Sequence, residues 1–168
     1  LLAASGFAWR ASTHPTLDEK TRRAWQLVAL AYLLAWLGDV LWFYYEIVLG
    51  IEPFPSWADA PYLLFYPALL AGILRFPTAP SSEGAKVKFW LDAGTVLLGS
   101  GMLLWYFVFR PITVDAGTDP LTNAISLAYP LGDLALLFGI TSVLLRRPIE
   151  SSREALQILV VGLFVMVV

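Results

Sequence analysis

Residues 24–49 form an apolar run whose only charges are two carboxylates, Asp39 and Glu46. A bilayer core needs roughly 20 consecutive apolar residues in a helix, so a run of this length predicts a membrane crossing with some to spare for tilt. The pattern recurs. The segments 57–76, 88–109 and 123–145 are similarly apolar, and each ends at a proline or arginine cluster: Pro77 and Pro80, Arg110-Pro111, and Arg146-Arg147-Pro148. Hydrophobic residues make up 58% of the chain and charged ones 14%, with a mean hydropathy of +0.70, too apolar for an ordinary water-soluble domain. The expected fold is all-α: a polytopic transmembrane helix bundle with four complete spans. Partial spans at 1–9 and 153–168 complete a single transmembrane domain, and the lipid bilayer is its first partner. The chain starts at Leu1 without Met and stops at Val168 inside an apolar run, as a piece cut from a longer protein would.

Helix starts are read from capping boxes, in which a Ser or Thr hydroxyl and a Glu or Asp carboxylate satisfy each other's backbone N–H groups. Thr16-Leu17-Asp18-Glu19 predicts a start near Leu17, Ser56-Trp57-Ala58-Asp59 opens the second span, and Ser151 to Glu154 opens a fifth. Ten of the eleven Lys and Arg residues fall in alternate loops, with Arg110 the exception. Basic residues are retained on the cytoplasmic side, so the turn at Pro53-Phe54-Pro55-Ser56 and the 115–119 loop are expected outside. The localisation that follows is multi-pass in a bacterial inner (plasma) membrane.

Gly38 and Gly101, Trp42 and Trp105, Tyr66 and Tyr129, and Pro67 and Pro130 are each separated by 63 residues. This spacing suggests a parallel repeat of a two-helix unit, with compositional coincidence as the alternative. Thr95, Gly99, Ser100 and Gly101 are small residues that let another helix approach closely, and a homodimer is compatible with them.

The polar residues fall on helical faces. Tyr32, Asp39 and Glu46 are seven apart; Asp59, Tyr62 and Tyr66 follow i, i+3, i+7; Asp92, Thr95, Gly99 and Tyr106 track one stripe, and Ser126, Tyr129 and Asp133 another. A carboxylate at bilayer depth costs a few kcal/mol, so it is protonated, hydrogen-bonded or in contact with water. The functional reading is an outward pocket for a small ligand or cation. Asp39, Glu46, Asp59 and Asp133 would accept, and Trp42, Tyr45, Tyr62, Tyr66 and Tyr129 would form the walls, with Asp39 the leading residue. The alternative is interhelical hydrogen bonding plus interfacial aromatics that need no ligand. Asp92 sits one turn from Lys88 and is expected to pair with it.

Other chemistry has little to build on. His14 is the only histidine, in a loop beside Pro15, and there is no cysteine, so no metal site, catalytic triad or disulfide is expected. No glycine-rich phosphate loop is present, and a net charge of −2 suggests no nucleic-acid partner. The expected catalytic residues, metals and cofactors are none.

The strings WLGDVLWFYYE, PFPSWADAPYLLFYP and LAYPLGDLALL resemble the N-terminal multi-spanning membrane region found upstream of GGDEF diguanylate cyclase modules in bacterial signalling proteins. The likeness covers about residues 24–147. It implies a sensory or anchoring module that passes a signal to a cytoplasmic output domain in cis. No GGDEF, EAL or phosphoacceptor sequence occurs in the chain. Two rival classes are an ion-coupled transporter or channel, with Asp39 and Asp133 as coupling groups, and a purely structural membrane anchor.

Overall fold

In a computed structural model the described residues are 1–77, 83–110 and 119–145, and they are mainly helical. Among them five α-helices follow in order: α1 (Leu2–Ser12), α2 (Glu19–Phe43), α3 (Asp59–Arg75), α4 (Glu83–Leu104) and α5 (Pro120–Leu145). Both α2 and α4 run on into a single π-helical turn, Tyr44–Val48 and Trp105–Phe109 respectively. The expected spans 24–49, 57–76, 88–109 and 123–145 thus fall on α2, α3, α4 and α5. The partial span 1–9 lengthens into α1, which runs through Arg10 to Ser12. The expected span at 153–168, the 115–118 stretch and the box at Ser151 lie outside the described residues.

Among the described residues two helices are long and apolar enough to cross a membrane, Glu19–Val48 with 30 residues and Pro120–Val143 with 24. Of the four expected spans, those on α2 and α5 meet this measure. With 17 residues, α3 is about 25 Å long at 1.5 Å per residue, short of a hydrocarbon core of roughly 30 Å. In α4 the charges of Glu83, Lys86, Lys88 and Asp92 occupy the first half.

The start of α2 also differs from expectation. Asp18, not Thr16, is its N-cap: the carboxylate accepts from the backbone N–H groups of Lys20 at 3.2 Å and Thr21 at 3.3 Å. The Thr21 hydroxyl donates to the same side chain, while Thr16 pairs with His14 Nδ1 at 2.8 Å. With three donors on one carboxylate, Asp18 outcompetes the Thr16 hydroxyl for the helix end, and the bond from the Thr21 hydroxyl is what chiefly holds its pKa below the ordinary 3.8. At the other end the π turn closes with Leu49 N–H on the Tyr44 carbonyl, and Gly50 reverses the chain at φ +65°, where a side chain would be strained. The Phe54–Pro55 peptide in the connecting hairpin is cis.

The helices pack in a row: α1 on α2, α2 on α3, α3 on α5, and α5 on α4. The α2–α3 contact is built on residue size. Thr21, Ala24, Val28, Ala31, Ala35 and Gly38 are all buried, and their alternating spacing of three and four puts them on one stripe. Facing them on α3 are Phe65, Leu69, Gly72, Ile73 and, just past its end, Phe76, all buried. Small residues on α2 let the larger ones on α3 close the gap, which is how helices associate where lipid removes the hydrophobic drive. Trp25 caps this seam edge-on against Phe76, with ring centroids 5.4 Å apart. On its far side α2 receives α1, whose Ser5 hydroxyl donates to the Ala29 carbonyl at 2.8 Å.

Neighbouring contacts fix directions. Gly38 meets Tyr62 and Gly72 meets Val28, so α2 and α3 are antiparallel; Gly132 meets Tyr66 and Gly139 meets Leu70, so α3 and α5 are parallel. One end of the row therefore gathers Lys20, Arg22 and Arg23 of α2, Arg75 of α3, and Lys86 and Lys88 of α4. The opposite, hairpin end carries Arg110, whose guanidinium lies 5.9 Å over the Tyr106 ring. The 63-residue repeat is not carried by the packing of its glycines. A Cβ on Gly38 would strike Tyr62, whereas one on Gly101 would meet nothing within 4 Å.

Candidate functional site

The polar residues of α2, α3 and α5 converge in the hairpin half of the row, with α3 in the middle. Each of its neighbours offers the same tripeptide. Leu37-Gly38-Asp39 lies on α2 and Leu131-Gly132-Asp133 on α5. A Cβ on Gly38 would fall 2.6 Å from the Tyr62 ring, and one on Gly132 2.6 Å from the Tyr66 ring. Each glycine is thus a notch in which a tyrosine ring lies flat against the helix. The following aspartate accepts the phenol: Tyr62 Oη donates to Asp39 Oδ1 at 2.7 Å, and Tyr66 Oη to Asp133 Oδ1 at 3.0 Å.

A third pair runs the other way. Tyr129 of α5 donates to Asp59 Oδ1 of α3 at 2.6 Å, and Asp59 Oδ2 accepts the Ser56 backbone N–H at 2.7 Å. The Ser56 hydroxyl accepts from Ala58 N–H at 3.1 Å. The expected box at Ser56 is therefore present in its carboxylate arm, and Asp59 serves both as helix cap and as interhelical acceptor. The Tyr129 ring also sits edge-on to Tyr66, with centroids 6.4 Å apart. Six side chains thus form one cluster across three helices.

Asp59, not Asp39, is the interior carboxylate. It is 2% exposed, whereas Asp39 on α2 and Asp133 on α5 are exposed. Periodicity ranked Asp39 first because it gives depth along a helix, but α3 is the central helix and so buries its own acid most completely.

The remaining candidates are not drawn in. Trp42 Nε1 donates to Glu46 Oε2 at 3.0 Å, one turn along the same helix, and Tyr45 meets Tyr44 edge-on at 6.2 Å. These contacts are local to the end of α2. The stripe Asp59, Tyr62, Tyr66 does not face one way, since Tyr62 reaches α2 and Tyr66 reaches α5. Asp92 makes no ion pair with Lys88. Among the described residues the salt bridge is the exposed Arg23–Glu19 contact, one turn apart on α2. Thr95 and Ser100 turn their hydroxyls to their own helix, on the carbonyls of Leu91 and Val96 at 2.8 and 2.6 Å. Among the described residues no group of three or more His, Cys, Asp or Glu could hold a metal ion.

Two tyrosines of the cluster precede a proline: Tyr66-Pro67 within α3 and Tyr129-Pro130 within α5. A proline inside a helix has no N–H, so the carbonyl four residues earlier loses its partner and the helix is weakened there. The repeated Leu-Gly-Asp and Tyr-Pro strings were the sequence signal for this site. Chemically, the cluster can order three helices and offer carboxylates at two accessible edges, and no pair of its groups is arranged as nucleophile and base. No family model, curated protein or solved structure matches the chain.

Proposed function

We propose that the chain is the membrane-embedded sensory and anchoring module of a bacterial signal-transduction protein, multi-pass in the inner membrane. It controls a cytoplasmic output domain of diguanylate cyclase type carried elsewhere in the parent. The observation that carries this reading is the six-residue Tyr–Asp cluster, which ties α2, α3 and α5 together through hydrogen bonds that an outside ligand can compete for at Asp39 and Asp133. The three strings that resemble GGDEF-associated membrane regions supply all six of these residues. In this reading α3 and α4 also cross the bilayer, giving four spans. The hairpin end faces outward, and the two-helix repeat survives only as an ancestral pattern. The ligand is a small cation or hydrogen-bond donor, and the signal leaves at the basic end as a shift of packed helices between discrete arrangements.

The test is Asp39→Asn in the full-length parent. The amide keeps shape and hydrogen-bonding capacity while removing charge, so membrane abundance holds and cyclic di-GMP output becomes locked or lost. Normal output from a well-expressed variant returns the site to simple packing, and solute uptake by the parent would replace the sensor with a transporter.

A further inference from the structure

We propose that residues 59–66 of α3 are a hinged segment, latched on both sides by the two Leu-Gly-Asp notches and pivoting at Pro67. The inference rests on the sensory reading only for what its opening does. The two halves of α3 are held by different forces. Beyond Pro67, Leu69, Gly72 and Ile73 are buried between α2 and α5, and a Cβ on Gly72 would come within 3.2 Å of α2 backbone atoms. Close packing of this kind has no second arrangement nearby.

Before Pro67 one large apolar side chain, Phe65, is buried in the seam, and the remaining named interhelical ties are polar. Tyr62 hangs on Asp39, Tyr66 on Asp133, and Asp59 on Tyr129. Two of the three acceptors, Asp39 and Asp133, are exposed, so a competing group can take them without entering the core. Each such bond replaces hydrogen bonds to water, so its net contribution is small and three of them form a closure that a ligand can reverse. Pro67 lies directly after the second latch tyrosine and leaves the Leu63 carbonyl without its helical partner, which places the flexible joint at the boundary between the two halves. Gly38 and Gly132 are positioning residues: each sets where a ring can lie, and through it whether the phenol reaches its aspartate.

Residues 1–168 contain no cysteine, so within them a single introduced thiol reports without background once any cysteine elsewhere in the full-length parent is replaced. Ala58, at the mouth of α3, and Ala31, in the α2 seam, are both fully buried. The experiment follows maleimide labelling of Ala58→Cys and, separately, Ala31→Cys in the full-length protein in nanodiscs. Each is compared with and without Gly38→Ala, Gly132→Ala or the milder Tyr62→Phe, which keeps the ring and drops only the hydroxyl.

Opening the latch raises labelling at position 58 by about tenfold, the effect of losing roughly one net hydrogen bond, while position 31 stays protected. Adding Pro67→Ala to the Gly38→Ala background stiffens the joint and lowers labelling again. Unchanged labelling at 58 overturns the latch. Equal rises at 58 and 31 mean general loosening and overturn it too, as does a rise at 58 indifferent to Pro67→Ala. If labelling follows the expected pattern while cyclic di-GMP output is untouched, the latch stands and the sensory reading falls.

Discussion

Helices α2 and α4 have much in common: each runs toward the hairpin end, each closes in a π turn, and each is rich in small residues. Yet α2 is sealed against α3 along its length, whereas α4 buries Ala93 and leaves Leu91, Leu98, Met102, Leu103, Trp105 and Phe107 uncovered. The difference is spacing. On α2 the small residues recur every three or four positions and make a continuous stripe. On α4, Ala93, Gly94, Gly99 and Gly101 scatter around the axis, and Cβ atoms on its glycines would meet nothing. Small residues create a helix interface only when their period matches the helix.

That contrast can be broken most forcefully at Leu69. Leu69→Ala leaves a cavity in the α2–α3 seam and should cost about 2–5 kcal/mol. Leu98→Ala on the uncovered face of α4 should stay within about 0.5 kcal/mol. Reversible unfolding in mixed micelles compares the two, and equal losses would mean that α4 is as well packed as α2.

Overpacking gives a smaller version of the same test. Ala31→Leu should cost about 1–3 kcal/mol because α3 has no room to retreat, and Gly101→Leu should be tolerated. Melting of the purified variants reads both.

Within the polar half, the comparison becomes one between a buried and an exposed acceptor. Tyr129→Phe removes a donor from Asp59, 2% exposed, and should lower stability by about 1–3 kcal/mol. Tyr62→Phe at the exposed Asp39 should cost about 0.5–1 kcal/mol. A reversed order would place Asp39, not Asp59, at the energetic centre.

The smallest effect belongs to the cap of α2. Asp18 has a folded pKa below the ordinary value of 3.8, so its contribution is present above that value and fades as pH falls through the depressed folded pKa. Asp18→Asn should therefore lower stability slightly near neutrality, converge with the parent in acid and so flatten the acid limb of a stability profile, and an unaltered acid limb would mean that the cap is already lost in the parent.

The helices themselves were legible because apolar length and Pro or Arg breakers are local properties. So was the Ser56–Asp59 start, where the carboxylate does reach back. The other start misled because Thr16 and Asp18 are both competent caps, and the choice turned on Thr21, whose role a Thr-x-x-Glu pattern does not register. The site was legible in its members and not in its pairings. Tyr62 and Tyr66 lie four residues apart on one stripe, but they diverge to different neighbours because α3 is central, a property of the whole row. The same centrality moved the interior charge from Asp39 to Asp59. The repeated Leu-Gly-Asp could have been noticed, although its meaning required knowing that two rings lie on the two glycines.

The short length of α3 has a consequence for solvent. A helix of about 25 Å between neighbours of about 45 and 39 Å leaves a dip in the row wherever its ends fall short of theirs. In the membrane-embedded reading proposed above, lipid headgroups and water follow such a dip inward, since a bilayer thins locally around a short segment at modest cost. At the hairpin end the floor of that dip would be Asp59 with its tyrosines, so that reading puts an acid that is interior by packing near the bottom of a shallow wet funnel.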